Sequence, residues 1–144
     1  MQTASTAPEI HCIMVEPFMV DAMWEKCLPF IENPELGDIE YMSPGELKQE
    51  CLAGYAQLWI LMLGDDLVGC FCTNFGEASS TVKVCNIFNL AGSGAKLWSK
   101  ALDEKIAGFA QSHGCSAYMC VTRKGFARLV PELKEAGALF VRKL

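Results

Sequence analysis

Between Leu58 and Asn89 the sequence carries three strand-like runs joined by short turns, and a long amphipathic helical pattern follows at once. Leu58-Trp59-Ile60-Leu61-Met62-Leu63 is a continuous apolar run, consistent with a strand. Gly64-Asp65-Asp66 is a hairpin signal, and Leu67 to Thr73 is the return strand. Asn74 to Ser80 reads as a polar turn. Val82, Val84, Asn86 and Phe88 then alternate with Lys83, Cys85, Ile87 and Asn89, a strand period. Three strands so connected form an antiparallel meander. From Gly94 to His113, the residues Trp98, Leu102, Ile106 and Ala110 recur every four positions and give a helix with one apolar face. Gly114 supplies the left-handed residue that ends it, and His113 is placed to cap its last carbonyls.

The flanks extend this pattern. Residues 1–9 form a loose polar tail, and His11 to Val15 a first strand. Pro17 opens a helix with Val20, Met23, Trp24, Cys27 and Leu28 on one side, which Pro29 ends or kinks. Asn33-Pro34 and Gly37-Asp38 are turns. Ser43-Pro44-Gly45-Glu46 has the form of a capping box, and Leu47, Cys51 and Tyr55 form the stripe of the helix it starts, with Gly54 as its stop. Ala117 to Val121 reads as a buried strand, Phe126 to Ala136 as a helix interrupted by Pro131 and ended by Gly137, and Leu139 to Val141 as a last short strand. The expected order is β-α-α-β-β-β-α-β-α-β. That is an α/β (α+β) chain with a mixed, mostly antiparallel sheet of about six strands, in a single domain over residues 10–144.

Composition narrows the function classes. The chain has 144 residues, 51% of them hydrophobic and 20% charged, which supports one globular core and excludes disorder. A net charge of −5 gives no overall pull toward nucleic acid or anionic lipid. The 8 cysteines have no Cys-x-x-Cys spacing, and His11 and His113 are the only histidines, so neither a zinc site nor any other metal site is expected. Most of the thiols sit in apolar runs such as Val68-Gly69-Cys70-Phe71-Cys72, where cysteine acts as a small buried hydrophobe. No apolar run reaches the length of a membrane span, and the amino terminus lacks signal-peptide character. A reduced, cytoplasmic setting is the expectation.

The element order resembles that of the GNAT (N-acetyltransferase) superfamily over nearly the whole chain from His11. The best local match is Asn89-Leu90-Ala91-Gly92-Ser93-Gly94, followed by Ala95. It is similar to the Gln/Arg-x-x-Gly-x-Gly/Ala loop of that family, with Asn89 where Gln or Arg is usual. The resemblance implies that residues 89–95 bind the pyrophosphate of acetyl-CoA. The residues agree with it independently: glycines let a backbone approach phosphate, and the helix that follows offers unpaired N–H groups and a partial positive charge, with Lys96 nearby. The stretch Val121-Thr122-Arg123-Lys124-Gly125-Phe126-Ala127-Arg128, with Gly-Ala-x-Phe beyond it, is also similar to compact GNAT-like proteins of tailed bacteriophages.

Catalytic groups are less legible. The resemblance implies a Tyr four residues before Gly137, and Leu133 stands there. Glu77 is a candidate base, Asn86 a candidate for orienting water, and Tyr118, on the preceding strand, a candidate acid. Each also has a plain structural use, as a solvated loop residue, a partner of a backbone group or a packed aromatic. Cys85 and Cys120 lack a His close in sequence to activate them. Asp65 and Asp66 lie in a turn.

Three functions are therefore expected: an acetyl-CoA-dependent N-acyltransferase acting on a small-molecule or protein amine, a non-enzymatic phage virion protein using the fold as an assembly module, and a small regulator that binds a host protein. The chain ends at Leu144, where the family usually adds a seventh strand. That leaves an edge for a homo-oligomer or other virion proteins. Basic residues Arg123, Lys124, Arg128, Lys134, Arg142 and Lys143, set against an acidic stretch at residues 32–50, would steer such contacts.

Overall fold

The computed structural model describes residues 9–32, 43–122 and 124–136. The first strand, β1 (Ile10–Val15), leads through a 3-10 turn at Pro17–Met19 into α1 (Val20–Ile31). α2 (Pro44–Ala53) follows, then β2 (Gln57–Leu63), β3 (Asp66–Ser79) and β4 (Val82–Gly92). α3 (Ala95–Ser112), β5 (Ala117–Cys120) and the short α4 (Lys124–Ala127) complete the described elements. The five strands form one sheet in the order β1-β2-β3-β4-β5. The first three pairings are antiparallel, and β4 pairs with β5 in parallel. This is the α+β architecture expected, with five strands among the described residues. The strand expected at Leu139–Val141, and Gly137 before it, lie outside them.

The sheet is covered on both faces, which is why β2 is apolar throughout. Strand residues alternate sides, so Leu58 and Ile60 meet α1 and α2 through Val20, Trp24, Cys27, Ile31, Leu47 and Cys51. Trp59 and Leu61 face the other way and pack with Phe71, Cys85 and Ile87 against Trp98, Leu102, Ile106 and Ala110 of α3. The polar atoms enclosed in this core are paired. Trp59 Nε1 donates to Thr73 Oγ1 at 2.9 Å, and Thr73 donates onward to Gln57 Oε1 at 2.8 Å. All 8 cysteines are free thiols, and all but the half-buried Cys120 are buried.

Several expectations at element ends change. α1 runs through Pro29 to Ile31. Pro29 and Glu25 both lie on the solvent side, so the Glu25 carbonyl that loses its helical partner meets water. Ser43 Oγ accepts from the Glu46 N–H at 3.3 Å, and Gly54 closes α2 at φ 83°. Tyr55 lies beyond that stop and is 74% exposed, so it belongs to no apolar stripe. Asn74 to Ser79 is not a turn but the second half of β3, paired with β4 as far as Ser79–Val82. Phe75 stacks there on Phe109 and His113 of the α3 end, with centroids 5.6 and 5.1 Å apart. The helix expected over Phe126–Ala136 shrinks to the single turn Lys124–Ala127. Pro131 lacks an N–H and forces Val130 away from helical geometry. Val130 and Phe126 are instead buried anchors against the α3 layer.

Candidate functional site

β4 and β5 part company partway along. They pair from Val84–Ala117 to Ile87–Cys120. β5 stops at Cys120, whereas β4 continues through Phe88 to Gly92. Val121, just past β5, is 71% exposed. Among the described residues, the β5-facing edge of β4 from Phe88 onward has no strand partner. A strand edge of this kind leaves every second N–H and C=O without a sheet bond.

The same stretch of β4 carries a bulge. Cys70 pairs with Ala91 and Cys72 with Phe88, so Asn89 and Leu90 together oppose Phe71. Asn89 takes φ 53°, the sole non-glycine residue with positive φ among the described residues. Asparagine tolerates this left-handed conformation better than most side chains. The bulge re-aims β4 where it leaves β5. The sequence pattern placed Leu90, Ala91 and Gly92 in a loop. They are strand residues, held by the pairings Cys70–Ala91 and Gly69–Gly92.

The two motif glycines have different physical jobs. A Cβ on Gly92 would sit 2.6 Å from the Val68 carbonyl oxygen and 2.8 Å from Gly69 Cα. Gly92 is therefore required by the close crossing of β4 on β3. A Cβ on Gly94 would only touch Leu97 Cδ1 at 3.6 Å, an ordinary contact, but Gly94 has φ 75°, and it turns the chain from the strand into α3. Between them, the Ser93 N–H donates to the Val68 carbonyl at 2.9 Å and the Ser93 carbonyl accepts from Trp98 Nε1 at 2.8 Å. The Leu97 N–H returns to the Gly94 carbonyl at 2.8 Å. The N–H groups of Gly94, Ala95 and Lys96 have no such partner among the described residues. The first turn of α3 contains no acidic residue, so the positive end of its dipole is left uncompensated, with exposed Lys96 beside it. An apolar pocket of about 230 Å³ lies against this turn on the side of β1 and β2, lined by Ile10, Met62 and Leu63 together with Val68, Leu97 and Trp98.

The other sequence candidates are dispersed. Glu77 pairs with Lys83 near the β3–β4 hairpin tip. That is the opposite end of β4 from Gly92, roughly 30 Å away at about 3.3 Å per residue. Asn86 lies one residue before the last β4–β5 pair, and its Nδ2 donates to Asn74 Oδ1 across the strands at 3.1 Å. Tyr118 is on β5, with its hydroxyl donating to Asp103 Oδ1 of α3 at 2.6 Å. Burial first, and then that bond to Asp103, push the phenol well above its usual range, so it holds its proton. Leu133 is half-buried against the α3-side core. Burial likewise raises Cys85 to about 11, with Cys115 adding to it, and raises Cys120 to about 11 against the opposing bond from Thr122. At neutral pH these are thiols, not nucleophiles. His113 Nδ1 lies 2.9 Å from the Phe109 carbonyl, and Lys83 Nζ donates to the His113 carbonyl at 2.9 Å, so both cap the end of α3. No cluster of metal-ligating side chains exists among the described residues, and no described helix is long and apolar enough to cross a membrane.

The bulge at Asn89 and the parting of β4 from β5 escaped the sequence reading. The one local signal was Asn89 itself, a residue at ease with positive φ inside an otherwise strand-like run.

Comparison with known proteins brings a fold. No family model and no curated protein matches the sequence. Solved structures do. An aminoglycoside acetyltransferase from an uncultured soil metagenomic sample superposes with a TM-score of 0.69 at 13% identity, covering 94% of this chain and 97% of that one. A predicted acetyltransferase from Clostridium acetobutylicum, solved with acetyl-CoA, gives 0.64 at 12% identity, over 93% and 96%. A ribosomal-protein-alanine N-acetyltransferase from Brucella melitensis gives 0.64 at 10% identity, over 94% and 99%. At such identities the likeness speaks for architecture, and it spans almost the full length of both partners. The chain has the mixed α+β fold of the GNAT acetyltransferases.

Proposed function

We propose that this protein is an acetyl-CoA-dependent N-acyltransferase. The observation that carries the reading is the parting of β4 from β5 after Ile87 and Cys120, with β4 leading straight into an α3 N-terminus whose amides have no partner among the described residues. Free amides with an uncompensated helix dipole suit a diphosphate. The unpaired edge of β4 suits a ligand arm that carries amide groups, as a sheet edge suits an added strand. When bound, acetyl-CoA would supply an acyl group activated as a thioester. The chain's own part is to hold the two reactants together and to exclude alternatives, a contribution that alone accelerates acyl transfer by many orders of magnitude. Of the polar candidates, Asn86, one residue before the last β4–β5 pair, is the group we take to hold an acceptor or a water, through its Oδ1, since its Nδ2 is given to Asn74. Tyr118 is committed to Asp103 and supplies no proton.

Calorimetric titration with acetyl-CoA tests the reading. The expected result is micromolar affinity, weakened at least tenfold by Gly94→Trp, which crowds the amides. Absence of binding at millimolar ligand would remove the enzymatic proposal.

Leu133 and the tethered Tyr118 favour a second reading, in which the fold binds the cofactor or a partner chain without catalysis, as an assembly module would. Acetyl-CoA binding without turnover of any amine in a broad panel, together with oligomers in light scattering, would select it.

A further inference from the structure

We infer that Trp98 is a positioning residue, whose indole N–H fixes the Ser93 peptide and thereby sets the direction of the amides at the start of α3. Ser93 is held through the peptide units on both of its sides. Its N–H donates to the Val68 carbonyl at 2.9 Å, and its carbonyl accepts from Trp98 Nε1 at 2.8 Å. Trp98 is 3% exposed and sits against Phe126, with ring centroids 5.9 Å apart, so the indole has little freedom. On the strand side, Gly92 rests on the β3 backbone at distances that leave no room for a Cβ. With the peptides before and after Ser93 both fixed, the Gly94 N–H, which shares a plane with the Ser93 carbonyl, is aimed directly, and the rotation at Gly94 is the remaining bend that determines where the Ala95 and Lys96 N–H groups point.

Packing alone does not explain the bond. A phenylalanine would fill most of the same apolar space, and the Ser93 carbonyl lies on an exposed turn where water would satisfy it. An indole that reaches back from the helix to the turn before it ties the helix start to β3. A donor set held before the ligand arrives binds it without the cost of ordering.

This rests on reading the α3 N-terminus as the diphosphate site, and the test separates the two. Amide hydrogen exchange by NMR is measured on wild type and W98F without ligand, and CoA affinity is then measured for both by calorimetry. W98F is expected to speed exchange at Ser93 and Leu97 while leaving Ile106, deeper in the same helix, unchanged. Its CoA affinity is expected to fall about fivefold, the effect of one typical hydrogen bond. Unchanged exchange at Ser93 and Leu97, or equal CoA affinity of the two proteins, overturns the inference. If wild type itself fails to bind CoA, the diphosphate reading falls, and with it any role for Trp98 in binding, whatever the exchange shows. Should W98F fail to fold, β-(3-benzothienyl)alanine at position 98 removes the N–H and keeps the ring shape, with the same outcomes deciding.

Discussion

Gly92 and Gly94 stand two residues apart and fail differently when changed. Gly92→Ala drives a methyl group into the Val68 carbonyl at 2.6 Å, a contact between two paired backbones that cannot move apart cheaply. The expected loss is about 3 kcal/mol in urea unfolding, in the range of overpacked core sites. Gly94→Ala meets only the Leu97 side chain at an unstrained 3.6 Å and costs about 1 kcal/mol for the left-handed backbone alone. Equal losses for the two would contradict the separate roles. The Gly-x-Gly spacing was readable in the sequence, but the reason for Gly92 was not, because the atoms it must approach belong to a strand more than twenty residues earlier. Tyr118→Phe removes the bond to Asp103, and its expected cost is about 1 kcal/mol of stability. Any acyltransferase rate of Y118F should match wild type across pH. A lost limb in that pH profile would make Tyr118 a proton donor after all.

At the scale of elements, the strands and the long helix were legible because their periods are enforced by two covered faces. Leu58–Leu63 and Trp98–Ala110 could fold in few other ways. The ends were not legible. Asn74–Ser79 looks like a polar turn, yet it is kept in β3 by pairing with β4 and by Phe75 stacking on the α3 end, contacts that depend on residues far along the chain. Pro29 and Pro131 read alike, and they act differently. Pro29 falls in the last turn of α1 on the solvent side, where a lost hydrogen bond is replaced by water. Pro131 falls in the middle of the expected Phe126–Ala136 helix, with more than a turn still to form on each side. Pro29→Ala restores the N–H to the Glu25 carbonyl and is expected to stabilise the protein by about 1 kcal/mol in thermal unfolding, the low end of proline's helix penalty. No gain, or a loss, would mean that the fixed φ of proline matters more there than the missing bond.

The whole molecule is a sheet packed with thiols and opened at one end. Burial raises Cys12 to about 12, with Lys105 pulling the other way, and raises Cys85 and Cys120 to about 11. The folded state holds these protons more tightly than the unfolded chain, in which thiols titrate near 9. Their contribution to stability is therefore complete below about pH 9 and is lost as the pH rises through 11 to 12. The melting temperature should fall across that window, and replacing Cys12 by Ala should flatten the fall. A melting temperature flat to pH 12 would show that these thiols ionise without unfolding. The parting of β4 from β5 is a property of this same scale: among the described residues β5 is shorter than β4, and no local pattern in the sequence announces where two parallel strands separate.

Cofactor binding in this protein requires that opening and the amides at its end. The most direct test is a ¹H–¹⁵N NMR titration of the intact protein with CoA. The expected result is saturable shifts concentrated at Gly94, Ala95 and Lys96 and along Phe88 to Ala91, with the hairpin tip around Glu77 unmoved. Shifts confined to other surfaces, or no shifts at millimolar CoA, would contradict it.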